Sequence, residues 1–266
     1  MHATLPPSAA AISPKTSIPK ESTPTRTYAR LIGALFLIGF LTYGIGFTLV
    51  NSVISVPDFL ARLPGVQTTL LIGAFLMLLN TVVDVGKGVL FFPILENHGK
   101  RTALVYLAAI VVQVVFLDLG VIFLLMLAPL AQIAADAGAS SAAWAPGLGS
   151  LLSDSNTIAY NVGQATLSFG GIFLCLLLYR TRLIPQLLAG LGVVGYVLHA
   201  AGSVSELFGL PLSLFLLIPG AIFEIGIALW LIFRGFNRTA LATGTEVGAE
   251  STHPRGAAPA AAAVAT

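Results

Sequence analysis

Six apolar segments divide this chain, at 31–50, 67–95, 103–127, 155–179, 187–207 and 213–233. Each is near or above the roughly 20 residues a helix needs to cross a hydrocarbon core of about 30 Å. In lipid, backbone amides and carbonyls must find partners within their own segment, so such segments are helices. The second segment is long enough to tilt, and Gly209 and Pro211 in the short gap after the fifth suit a tight turn. Composition agrees. Only 9% of the residues are charged, against about 25% in a soluble domain. A surface so poor in charge favours lipid over water as its solvent. The expected fold is all-α: a polytopic membrane protein, built as a bundle of six transmembrane helices over 29–236.

The flanks differ. Residues 1–28 carry Pro6, Pro7, Pro14, Pro19 and Pro24 among Ser and Thr, cannot bury a core, and read as a disordered tail. A signal peptide is not expected there, because the apolar run that follows exceeds the usual h-region of about 7–15 residues. Residues 237–266 are rich in Ala, Gly and Thr and read as a second disordered tail. The single cysteine, Cys175, rules out an internal disulfide and reads as a buried, inert thiol.

Positive charge sets an expected orientation. Lys15, Lys20, Arg26 and Arg30 precede the first segment, and Lys100 and Arg101 separate the second from the third. Arg180 and Arg182 lie between the fourth and fifth, and Arg234, Arg238 and Arg255 follow the sixth. All fall on one side. The other side has Arg62 alone, with Asp58, Asp136 and Asp154. Both termini are therefore expected in the cytoplasm, with the Ala/Gly/Ser-rich loop at 128–154 outside.

Polar residues recur at helical spacing, about 100° per residue. Met77, Asn80, Asp84, Lys87 and Phe91 share one stripe of the second segment. Asn156, Tyr160, Gln164, Ser168, Gly171 and Cys175 share one on the fourth. Gly192, Gly195, His199, Gly202 and Glu206 align on the fifth, and Gly220, Glu224 and Ala228 on the sixth. Small residues let helix backbones approach and polar ones hydrogen-bond across the contact, so each stripe reads first as a packing face. Ionisable groups deep in a membrane also mark ion, proton or substrate sites. Asn80, Asp84, Lys87, Gln164, His199 and Glu224 are the candidate intramembrane site. Asp118 lies about 140° round its helix from Gln113, so one of the two must leave the polar interior.

Two central charges cost roughly 5–7 kcal/mol on insertion scales. The Leu, Ile, Val and Phe side chains between Leu70 and Phe92 return about as much, at roughly −0.3 to −0.6 kcal/mol each. The second helix is thus marginal alone and needs its stripe turned inward. Asp84 and Lys87, at i,i+3, also partly neutralise each other, which is a purely structural reading of the pair.

Catalytic signatures are missing. There is no His-Glu-x-x-His, no Gly-x-Ser-x-Gly and no phosphate-binding Gly-x-x-x-x-Gly-Lys-Ser/Thr, of which Gly86-Lys87-Gly88 is only a fragment. Asp84 and Asp118 lack the sequence context of an intramembrane aspartyl dyad. His199 with Glu206 and Glu224 is a set able to bind a metal, but a helix-packing histidine is the simpler reading. No catalytic residue, metal or cofactor is expected, and nothing resembles a nucleic-acid module.

Three stretches carry a family resemblance: "NHGKRTALVYLAA" at 97–109, "LLYRTRLIPQLLAGLGVVGY" at 177–196 and "PGAIFEIGIALWLIFRGFN" at 219–237. With the six-segment layout they resemble a bacterial membrane family known as domain of unknown function 4386, over about 30–237. The resemblance implies six membrane helices in a bacterial cytoplasmic membrane and no established activity. The family pattern places an Arg after "YLAA" and a Glu three residues later; here Ile110 and Gln113 stand there, while Phe223-Glu224 matches. Any family activity that needs that charged pair is therefore in question for this chain. Loss of both partners together leaves no orphan charge. The leading expectation is a small transporter or ligand-binding membrane protein, with the lipid bilayer and a small polar ligand or proton as partners. The alternative is a structural or regulatory membrane protein whose polar residues only pack helices. An intramembrane enzyme is the weakest of the three.

Overall fold

The computed structural model describes residues 23–138 and 142–242. Among the described residues there are six helices and no strand: α1 (Thr23–Ile54), α2 (Phe59–Leu125), α3 (Leu127–Ala137), α4 (Ala145–Thr181), α5 (Gln186–Leu207) and α6 (Ser213–Phe233). Most of the two expected tails lies outside the described residues. The parts inside are helical, with α1 beginning at Thr23 and a helical turn at 238–242.

Among the described residues, five helices are long and apolar enough to cross a membrane. The second and third expected segments are joined in α2, whose 67 residues leave helical backbone angles only at Gly99. A straight helix of that length would reach about 100 Å at 1.5 Å per residue. Yet the Gln113 side chain lies 3.5 Å from that of Asp84. The chain therefore doubles back at Gly99, and 59–98 and 100–125 form two antiparallel arms. The bend falls in the polar stretch 96–102 between the two expected segments, with Pro93 six residues before Gly99, and the hydrogen-bonded helix runs almost through it. The loop expected at 128–154 is also mostly helical. Leu130 and Ala131 of α3 and Ala145, Gly149 and Leu152 of α4 bury there, an amphipathic spacing read in sequence as loop composition.

The elements close into a ring in chain order: α1 on α2, α2 on α4, α4 on α5, α5 on α6, and α6 back on α1. Close backbone approaches set several of these contacts. A Cβ added at Gly195 of α5 would stand 2.8 Å from the Gly220 Cα of α6, with no flexible side chain to yield. Overpacking of this kind costs about 1–3 kcal/mol. Gly195→Ala should therefore lower the melting temperature of the detergent-solubilised protein. Gly44→Ala, where nothing lies within 4 Å, should not. Equal melting of both variants with the parent chain would show that the ring is looser than this.

The packing is inside out relative to a water-soluble protein. Phe75 and Val82 are 64% and 68% exposed, while Asp84 and Lys87, on the same helix, are each 6% exposed. Two apolar clusters fill the ends of the ring. Ile32, Phe36, Phe91, Tyr106, Leu174 and Phe223 belong to the cluster nearer Gly99. Val50, Leu70, Met77, Val121 and Leu124 belong to the other. The buried polar side chains lie between them. At the Gly99 end, three bonds tie separate parts of the chain together. Arg30 Nε donates to the Ile232 carbonyl at 3.3 Å. The Asn237 amide donates to the Leu183 carbonyl at 2.9 Å. His98 Nε2 lies 3.0 Å from the Ala240 carbonyl.

Candidate functional site

The polar stripe of α2 is buried along its length: Met77, Asn80, Asp84, Lys87 and Phe91 all face the ring interior. Asp84 and Gln113 stand 15 and 14 residues on either side of Gly99, so the fold-back places them at one depth. That depth is about 20 Å from the bend. The Lys87 ammonium donates to Asp84 Oδ1 at 2.8 Å. Asp84 Oδ2 accepts from the Asn80 amide at 3.2 Å and from the Gln113 amide at 3.5 Å. Both carboxylate oxygens thus have donors, as a buried carboxylate requires. Gly39 of α1 makes room for this cluster, since a Cβ there would lie 3.2 Å from Asn80 Oδ1. One turn away, the Phe36 ring lies under Lys87, 4.4 Å from Nζ to the ring centre, a cation–π contact in a dry setting.

A second carboxylate belongs to the same interior. Glu224 of α6 accepts a hydrogen bond from the Tyr196 hydroxyl of α5 at 3.1 Å. It also lies within electrostatic range of Lys87, which interacts with Asp84, Tyr106 and Glu224. Lys87 makes its direct salt bridge to Asp84. One ammonium therefore stands against two carboxylates.

Aromatic rings bracket this layer. Toward the Gly99 end, Phe91 packs against Phe36 at 6.5 Å, Tyr106 at 6.3 Å and Phe236 at 5.7 Å between ring centres. On the other side, Tyr43 of α1 stacks on Tyr160 of α4 at 5.5 Å, reaching across the ring.

Of the expected site residues, Asn80, Asp84 and Lys87 meet in one hydrogen-bonded cluster, and Glu224 joins them electrostatically. Gln164 is buried but makes no hydrogen bond to the cluster. His199 is buried on the same face of α5 as Tyr196, against Gly220, and does not contact the two carboxylates. Glu206 accepts the Ser213 amide at 3.4 Å, the role of a cap for the start of α6. Among the described residues no three His, Cys, Asp or Glu side chains converge on one point. Gln113, 2% exposed, is the one that keeps the interior over Asp118. One Asp118 oxygen is buried without a partner among the described residues.

Tyr196, Tyr106 and Gln113 complete the site and were not among the expected members. Tyr196 carried a usable signal. A tyrosine hydroxyl three residues before His199, deep in an apolar helix, needs an acceptor on a neighbouring helix.

A family model described as Domain of unknown function (DUF4386) matches residues 31–235. No curated protein and no solved structure matches the chain.

Proposed function

The chain belongs to the DUF4386 family, and because that membership assigns no activity, we propose from the site itself that this is a small membrane transporter or ligand-binding protein for a proton or small cation. The supporting observation is the charge count: buried Lys87 pairs with buried Asp84, and half-buried Glu224 lies within electrostatic range of the same ammonium. In a low-dielectric interior an uncompensated carboxylate demands a counter-charge. A proton or a small cationic ligand entering beside Glu224 balances the set. The closed ring gives this charge an axis, and the aromatic layers on both sides give it an occluded position.

The accompanying topology is six crossings, with α2 supplying two of them through the bend at Gly99. Both termini lie in the cytoplasm of a bacterial cell under this reading. Its support is the placing of Arg26, Arg30, Lys100, Arg101, Arg180, Arg182, Arg234 and Arg238 at the Gly99 end, against Glu96 as the acid in that stretch of chain.

The test uses the full chain in liposomes carrying a pH-sensitive dye inside. Under an imposed pH gradient or with a small cation outside, the parent chain should change internal pH. Glu224→Gln should lose at least about tenfold of that rate while still inserting and melting normally, since uncharged Gln keeps the acceptor for Tyr196 but cannot exchange the proton. Equal rates for the two proteins would sink the proposal. A second reading has its own support. Asp84 is satisfied on both oxygens by Lys87, Asn80 and Gln113, as expected of a charge set that only packs helices. Loss of stability without loss of flux in both Asp84→Asn and Glu224→Gln would favour it.

A further inference from the structure

A cleft of about 440 Å³ opens at the Gly99 end of the ring, between the α4–α5 turn and the chain leaving α6. Arg182, Gln186, Trp230, Arg234 and Asn237 are among its lining residues. Both arginines are exposed, and neither guanidinium has a hydrogen-bond or acidic partner among the described residues. The cleft is held open by backbone rather than by side chains. The Asn237 amide donates to the Leu183 carbonyl at 2.9 Å, tying the two walls together. Gly235 turns the wall back with φ of 74°, a left-handed conformation that suits glycine. Phe236 then enters the core and anchors the wall against Phe91.

Arg182 also occupies the left-handed region, with φ of 55°. Glycine is the usual residue at such a helix end. An arginine there costs backbone strain and places a guanidinium at the mouth of the cleft. Trp230 is half-buried in the last turn of α6, as suits an indole with one face on apolar surface and a polar N–H to satisfy. The lining thus offers two unpaired guanidiniums, two carboxamides and an indole beside an apolar wall. Guanidinium pairs match the oxygens of a phosphate group bidentately, better than they match any single carbonyl.

We propose that this cleft binds a phosphate group, with Arg182 and Arg234 as its two cationic contacts. The chemistry is shared by an anionic phospholipid headgroup and by a soluble phosphate. This site is separate from the Asp84–Lys87–Glu224 layer and stands or falls without it.

Trp144 and Trp230 are the chain's two tryptophans, so Trp144→Phe leaves Trp230 as the sole indole reporter. The full chain with that change, in non-ionic detergent micelles, is titrated in one arm with inorganic phosphate. In the other arm the micelles carry increasing fractions of phosphatidylglycerol. A saturable change in Trp230 emission in the first arm assigns a soluble phosphate; saturation in the second alone assigns a lipid headgroup. In either arm the Arg182→Gln/Arg234→Gln variant should weaken binding about tenfold or more. Arg101→Gln, at the same end but outside the cleft, should leave it unchanged. No saturable response in either arm overturns the proposal. So does equal weakening by Arg101→Gln, which would mean that a diffuse basic rim, not the cleft, attracts the anion.

Discussion

Lys87→Met should destabilise the protein more than any other single change in the polar layer, by roughly 3–5 kcal/mol, the cost of stranding a buried charge. Met keeps the length of the lysine stem and its apolar packing on Phe36, so the loss reads the charge and not a cavity. Asp84 would be left with only the Asn80 and Gln113 amides, at 3.2 and 3.5 Å. The reverse change should cost less. In Asp84→Asn the Lys87 ammonium still has Glu224 within electrostatic range and the Phe36 face beneath it. Among the described residues Asp84 has no second cationic partner. Converting both charges, as Asp84→Leu with Lys87→Met, should recover most of the stability, because replacing a buried pair by apolar groups is often neutral or better. Melting in detergent of the two single variants and the double completes the cycle. A Lys87→Met variant as stable as the parent would mean that water reaches Asp84 and that the layer is not dry.

The same double variant separates packing from function. A stable but inactive protein would show that the charge set serves flux, whereas a stable and active one would show that it serves only assembly.

Much of this layer could be read from the chain itself. The i,i+3 spacing of Asp84 and Lys87 within an apolar run predicted an inward stripe and a mutual pair, and the fold has both. Helical periodicity is a local property, so it survives without knowledge of neighbours. What it cannot supply is which stripes meet. The register that brings Gln113 to Asp84 depends on where the chain bends. The polar stretch 96–102 between two apolar segments announces a fold-back but not its register; the place is fixed by packing, since a Cβ at Gly99 would lie 2.9 Å from a Leu177 methyl. His199 shows the converse. It shares a helix face with Tyr196, yet one turn of rise along α5 separates the residue that reaches Glu224 from the one that packs on Gly220. The ordered chain at 234–242 was hidden for a different reason. Its composition is that of a tail, yet Phe236 ties it to the core, Ala240 and Leu241 pack against that core, and bonds to Leu183 and His98 hold the segment in place.

That tie leads to the second large effect, at Phe91. The Phe91 side chain is fully buried and touches Phe36, Tyr106 and Phe236. Phe91→Ala removes the shared partner of three rings and should cost roughly 3–5 kcal/mol, with Phe91→Leu well below that. The consequence reaches beyond stability. Phe36 is both a neighbour of Phe91 and the ring under Lys87, so its loosening should let water approach the ammonium from the Gly99 end. Cys175 supplies a native reporter: it is the only cysteine, it is fully buried, and it belongs to the same apolar cluster. In the parent chain a membrane-impermeant maleimide should label it negligibly from either side. In Phe91→Ala, labelling from the side that carries the termini should rise at least about tenfold, since exposure controls thiol reactivity. Labelling from the opposite side should stay low, because the Tyr43–Tyr160 stack is untouched. If Cys175 remains unreactive while the variant melts like the parent, Phe91 is not the seal on this side, and the occluded arrangement proposed for the charge layer loses its floor.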